Sequence, residues 1–114
     1  MANAYELTKN AAKETEKNSL QKLAGTDKTI ISEIAALFTQ NPKASQFSSE
    51  IKTFLNSLVS NDIGGALNNC NQNELGLLRE IIMDNLKHNK NPEHVKIFKV
   101  LLDLIEANHF IRFI

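Results

Sequence analysis

At 114 residues the chain has the length of one domain, enough for a single hydrophobic core without disulfide staples. Its apolar fraction of 42% is that of a globular protein, and thirteen basic residues cancel thirteen acidic ones. The charges are spread evenly along the chain. That excludes the clustered basic footprint of a nucleic-acid-binding protein.

One cysteine, Cys70, excludes an intrachain disulfide. Residues 1–7 lack the apolar run of a signal peptide, and no apolar run approaches the roughly 20 residues of a membrane span. The expected location is therefore cytoplasmic, or exported without a cleavable signal peptide.

Residues 3–23 are rich in Ala, Glu, Lys and Leu and contain no Pro or Gly, so propensity predicts a helix. Its apolar stripe is thin: Ala4, Leu7 and Ala11, a polar gap, then Leu20 and Leu23. Lys9, Lys13 and Lys17 recur every four residues, a repulsive spacing on a solvated face. The expectation is an N-terminal arm over 1–25 that must dock to be stable, beside a bundle over 26–114.

Gly25 stops the arm, and Thr26 or Asp27 caps a second helix to residue 40 with Ile30, Ile31, Ile34, Leu37 and Phe38 at amphipathic spacing. Asn41-Pro42 breaks it. Ser45 is the expected cap of a third helix over 46–60. There Phe47, Ile51, Phe54, Leu55, Leu58 and Val59 give the cleanest 3.6-residue period in the chain. Gly64-Gly65 predicts a turn with positive φ, since a phosphate loop would need a preceding strand and a following Lys-Ser/Thr. One helical turn over 66–70 comes next.

Asn73 is the expected cap of a helix over 74–88, with Leu75, Leu78, Ile82 and Leu86 inward. Gly76 there suggests close approach of a neighbouring helix. Asn91-Pro92 then opens a helix over 92–108 that is apolar around most of its circumference. Such a helix must be covered on several sides, so it is the expected centre of the fold. The whole reads as all-α: a small bundle of about five helices, two helical hairpins plus the arm.

Chemistry is sparse. His88, His94 and His109 lack metal-ligand spacing, and Cys70 has no cysteine partner. Beside Leu67, Cys70 reads as core. No catalytic residue, cofactor or metal ligand is assigned. Glu80 and Asp84 share a helix face, and with a histidine they define the alternative, a metal-dependent enzyme or regulator. Arg79, Lys87 and Lys90 nearby favour a solvated face.

The last five residues include Phe110, Ile111, Phe113 and Ile114, which must be buried on the core or on a partner. The expected function is thus a non-catalytic protein–protein interaction module. Its contact residues are Phe110, Ile111, Phe113 and Ile114, with Leu7, Ala11 and Leu20 as a second seam, and a homodimer is the expected outcome. The Asn- and Lys-rich composition suits a small bacterial effector or secretion-associated protein.

Overall fold

The computed structural model describes residues 4–60 and 62–114, with all their side chains except those of Ala4, Tyr5 and Leu7. Among the described residues six α-helices follow one another: α1 (Ala4–Ala24), α2 (Lys28–Thr39), α3 (Ser49–Ser60), α4 (Ile63–Leu67), α5 (Gln72–His88) and α6 (Pro92–Phe113). A 3-10 turn, Pro42–Gln46, separates α2 from α3. No strand occurs among the described residues.

The helix boundaries are written in short polar side chains. The first N–H groups of a helix have no intrahelical acceptor, and Asp, Asn or Ser at the preceding position supplies one. Asp27 accepts from Thr29 N–H at 2.8 Å, and Ser48 accepts from Ile51 N–H at 3.2 Å. Asn41 and Asn91 do the same at the two Asn-Pro breaks, each at 2.9 Å from a backbone N–H two residues on. Part of the asparagine bias is therefore structural.

Three local expectations are corrected. The cap of α5 is Asn71 and not Asn73: Asn71 accepts from Glu74 N–H at 2.8 Å and Glu74 accepts from Asn71 N–H at 2.7 Å. Only Asn71 has Glu74 three residues on, which closes this reciprocal box. The cap of α3 is Ser48 and not Ser45, because Asn41-Pro42 nucleates the 3-10 turn that holds Ser45. Gly64 and Gly65 form no turn of positive φ; they lie within α4. Ile63 and Leu67, four apart, are both buried and hold that segment helical.

Packing then follows the apolar faces. The hairpins α2–α3 and α5–α6 form as the periodicity implied. The core combines Ile34, Phe38, Ile51, Phe54, Leu78 and Ile82 with the inner side of α6. Val59, at the margin of the α3 stripe, instead faces solvent, 48% exposed. Helix α6 packs against α1, α2 and α5, and Ile97, Phe98, Leu101, Leu104 and Ile105 on it are buried. The expectation of a central helix holds.

Helix α1 lies along α6 and runs antiparallel to it: Lys22 and Gly25 share a cleft with Glu93, Lys96 and Val100, while Glu16 meets Asn108. Its docked face is Ala12, Glu16, Ser19 and Leu23, with Ala11 on the solvent side. The polar gap in the α1 stripe thus falls where α6 carries Asn108. Asn108 is 1% exposed. Its amide donates to Asn68 Oδ1 at 2.9 Å and to Glu16 Oε2 at 3.1 Å. Its carbonyl oxygen accepts from Arg112 Nη1 at 3.0 Å, and that Nη1 also donates to the Leu67 carbonyl at 3.2 Å. One amide therefore ties α1, the end of α4 and α6 together.

Gly76 does not mark a close helix contact. A Cβ built there would meet nothing within 4 Å. Alanine at that exposed position restricts the unfolded chain without a clash. Gly76→Ala should therefore raise stability by about 0.5–1 kcal/mol, read as an upward shift of the thermal midpoint. A downward shift would mean that the space over Gly76 is filled.

Candidate functional site

The tail residues are the C-terminal turns of α6 and stand on two sides of it. Phe110 and Ile111 are half-buried, while Phe113 is 40% and Ile114 57% exposed. Phe110 and Ile114 line a groove of about 320 Å³ between α5 and α6, together with Leu75, Gly76 and Ile105. The groove exists because Gly76 places no side chain between the helices.

Two polar bridges cross the groove. Gln72 Nε2 and His109 Nε2 are 2.9 Å apart at one level, and Arg79 Nε donates to Glu106 Oε1 at 3.2 Å at another. Both members of the Arg79–Glu106 pair are about half exposed, so the pair contributes little stability by itself. Phe113 has two neighbours on its own helix. Its ring centroid is 5.6 Å from that of His109, and the Arg112 guanidinium lies 4.8 Å from it.

The large apolar side chains that stand exposed among the described residues are Val59, Met83, Phe113 and Ile114. Met83 lies seven residues beyond Gly76 on α5, on the same helical face. Met83 stands past the level of the Arg79–Glu106 pair, while Phe113 and Ile114 stand past the level of Gln72 and His109, at the opposite end of the groove. Of the second expected seam, Leu20 is half-buried against the core and Ala11 is exposed. The side chain of Leu7 lies outside the described residues.

Of the groups named for the alternative, Glu80, Asp84 and His88 follow one another at four-residue spacing on α5, while His94 and His109 lie on α6. Asp84 is held by the Lys43 ammonium at 2.7 Å and by the Asn41 amide at 3.5 Å. The lysine hydrogen bond holds the Asp84 carboxyl below its usual range, and the same contact raises Lys43. The Lys43 ammonium thus already compensates the charge of Asp84 through its Oδ2. Glu80 and His88 are exposed on the same helix. His94 meets Glu33 at 3.2 Å, and His109 meets Gln72. Among the described residues no group of three or more His, Cys, Asp or Glu is arranged to hold a metal ion.

Cys70 is fully buried, and desolvation, with Glu74 and Glu50 adding to it against Arg112, pushes its thiol up to about 11. A thiol so placed is protonated at neutral pH and a poor nucleophile. Among the described residues no helix is long and apolar enough to cross a membrane.

The Gly76 notch and the apolar residues Leu75, Ile105, Phe110 and Ile114 around it were not visible as a unit in the sequence. The only signal was the lone glycine inside a helical pattern. No protein-family model, no curated protein and no solved structure matches this chain.

Proposed function

We propose that the protein is a non-catalytic interaction module that binds a protein partner through the outer face of the α5–α6 hairpin. The observation that carries this reading is the apolar groove lined by Leu75, Ile105, Phe110 and Ile114, with the exposed Phe113 ring stacked on His109 at its edge. Exposed apolar side chains scattered singly are ordinary surface; gathered beside a groove they are the composition of a contact surface. The Phe113 ring, exposed and stacked on His109, suits it to be an anchor, since aromatic side chains are the commonest anchors of contact surfaces.

A photo-crosslinking residue at position 113, introduced into the full chain in its native source, tests this. The expected result is one discrete cross-linked protein species. The same probe at Ser32, exposed on α2, should give none. Equal or absent cross-linking at both positions would sink the reading.

A further inference from the structure

We infer that α1 is an arm that opens on its own: the stretch ahead of Leu20 leaves α6 and uncovers Leu104, Ala107 and Asn108 while the other helices stay packed. The α5–α6 groove plays no part in this motion.

Burial along α1 is uneven. At its C-terminal end Leu23 is buried in the core, and Leu20 packs against that core, where a Cβ built on Gly64 would stand 3.6 Å from its Cδ1. Ahead of Leu20 the docked side chains of the middle of α1 are Ala12, Glu16 and Ser19, and of these Ser19 alone is buried. A methyl group and a hydroxymethyl group remove little apolar area from water, and burial of an apolar face is what holds most helices in place.

Once undocked, the stretch has little reason to stay helical. Helices shorter than roughly 12–15 residues are marginal in water even when rich in alanine. Lys13 and Lys17 are exposed like charges four apart and add repulsion. Undocking and unwinding therefore go together, so that the arm opens as one unit.

The latch is polar and can be released without stranding a buried group. Asn108 Nδ2 donates to Glu16 Oε2 at 3.1 Å and to Asn68 Oδ1 at 2.9 Å. When Glu16 leaves, the bond to Asn68 remains, and the Asn108 carbonyl oxygen still accepts from Arg112 at 3.0 Å. Water replaces the carboxylate as the arm lifts, so the costly outcome, an unpaired polar group in an apolar interior, does not arise.

The face under the arm is continuous. Val100 borders the cleft with Lys22, and Asn108 meets Glu16. Leu104 and Ala107 stand between them on the same side of α6, at four- and three-residue spacing, and both are buried. The core that remains when the arm opens includes Phe38, Phe54, Leu78, Ile82, Phe98 and Leu101, which belong to α2, α3, α5 and α6.

Native-state hydrogen exchange of the full chain, read residue by residue by NMR at increasing sub-denaturing urea, tests this. Amides of residues 10–19 should exchange at least about tenfold faster than those of 97–105, and with less dependence on urea, because the arm exposes less surface than global unfolding does. Phe54→Leu separates an independent opening from a global one. Phe54 is fully buried on α3, and its loss of shape weakens the bundle in the closed and the open arm states alike. Exchange of 97–105 should rise by about tenfold, while that of 10–19 should stay within about twofold. Glu16→Ala weakens the closed state alone, so it should speed both stretches by about the same factor, roughly tenfold for a lost hydrogen bond to a charged acceptor.

Equal exchange of the two stretches in the parent chain overturns the inference, since α1 would then open only when everything unfolds. Equal acceleration of both by Phe54→Leu does the same. A rate that rises smoothly from residue 19 towards residue 10 would show an end that frays residue by residue, and exchange of 10–19 unmoved by Glu16→Ala would show that no latch exists there; either result also overturns it. None of these outcomes bears on cross-linking at position 113, so the arm and the interaction module stand or fall separately.

Discussion

Phe98→Ala should lower the unfolding free energy by about 3–5 kcal/mol, the range for emptying a phenylalanine site in a core that cannot collapse onto it. Phe98 is fully buried on α6, with its ring centroid 5.8 Å from that of Phe38 on α2 and the planes tilted by 45°. Tilted pairs of this kind add to the area term. The ring is also where the first hairpin meets the central helix, so the loss includes the α2–α6 contact. Small domains have about 5–15 kcal/mol in total, and the variant should be near its folding limit. Urea denaturation reads this as a lower midpoint at unchanged slope. A loss under about 1 kcal/mol would mean that the site relaxes, contrary to interior packing. Phe113→Ala is the matching control. It removes the same ring from an exposed position and should change stability by less than about 0.5 kcal/mol.

Asn108→Asp is the second large effect, and it works through polarity alone. The side-chain volume is nearly unchanged. The amide that donates to Asn68 Oδ1 and Glu16 Oε2 becomes an oxygen facing two acceptors, one of them a carboxylate, at a position 1% exposed. Arg112, 3.0 Å from the other oxygen, offsets part of the cost. Desolvating the new charge and losing two hydrogen bonds leaves a net destabilisation of about 2–4 kcal/mol at neutral pH. The sign of the pH dependence follows. Protonation of the introduced carboxyl restores a donor, so the difference from wild type should shrink as pH is lowered towards 4. Glu16→Gln on that background should recover part of the loss, because its amide donates where the carboxylate repelled. Hydrogen exchange should show α1 opening first, since this cluster is its polar link to α6. A penalty indifferent to both pH and Glu16→Gln would show that Glu16 and Asn108 do not meet.

These two sites differ in how far they could be read from the chain. Phe98 belongs to the stripe Val95, Phe98, Leu101, Leu102 and Ile105 of a helix that reads as apolar around most of its circumference, and that pattern placed it inward. The same reasoning placed Phe38, Ile51, Phe54, Leu78 and Ile82 in the core, all of them fully buried. Asn108 was the last residue of the expected helix and carried no signal of burial. Its partners, Asn68 and Glu16, lie 40 and 92 residues away. Glu16 belongs to what reads, in sequence, as a polar gap in a weak helix.

Period, propensity and punctuation determined the helices, their inward faces, the two hairpins and the central place of α6, because each is a property of residues within a few turns of one another. Only the packed structure decided which Asn caps α5, why Gly64 and Gly65 stay helical, and which side of α1 docks. Those outcomes depend on competing local options whose balance is set by burial of Ile63 and Leu67 or by Asn108 across an interface. The face around Gly76 is of the same kind: an absent side chain on α5 becomes a groove only when Ile105, Phe110 and Ile114 of α6 are brought alongside it.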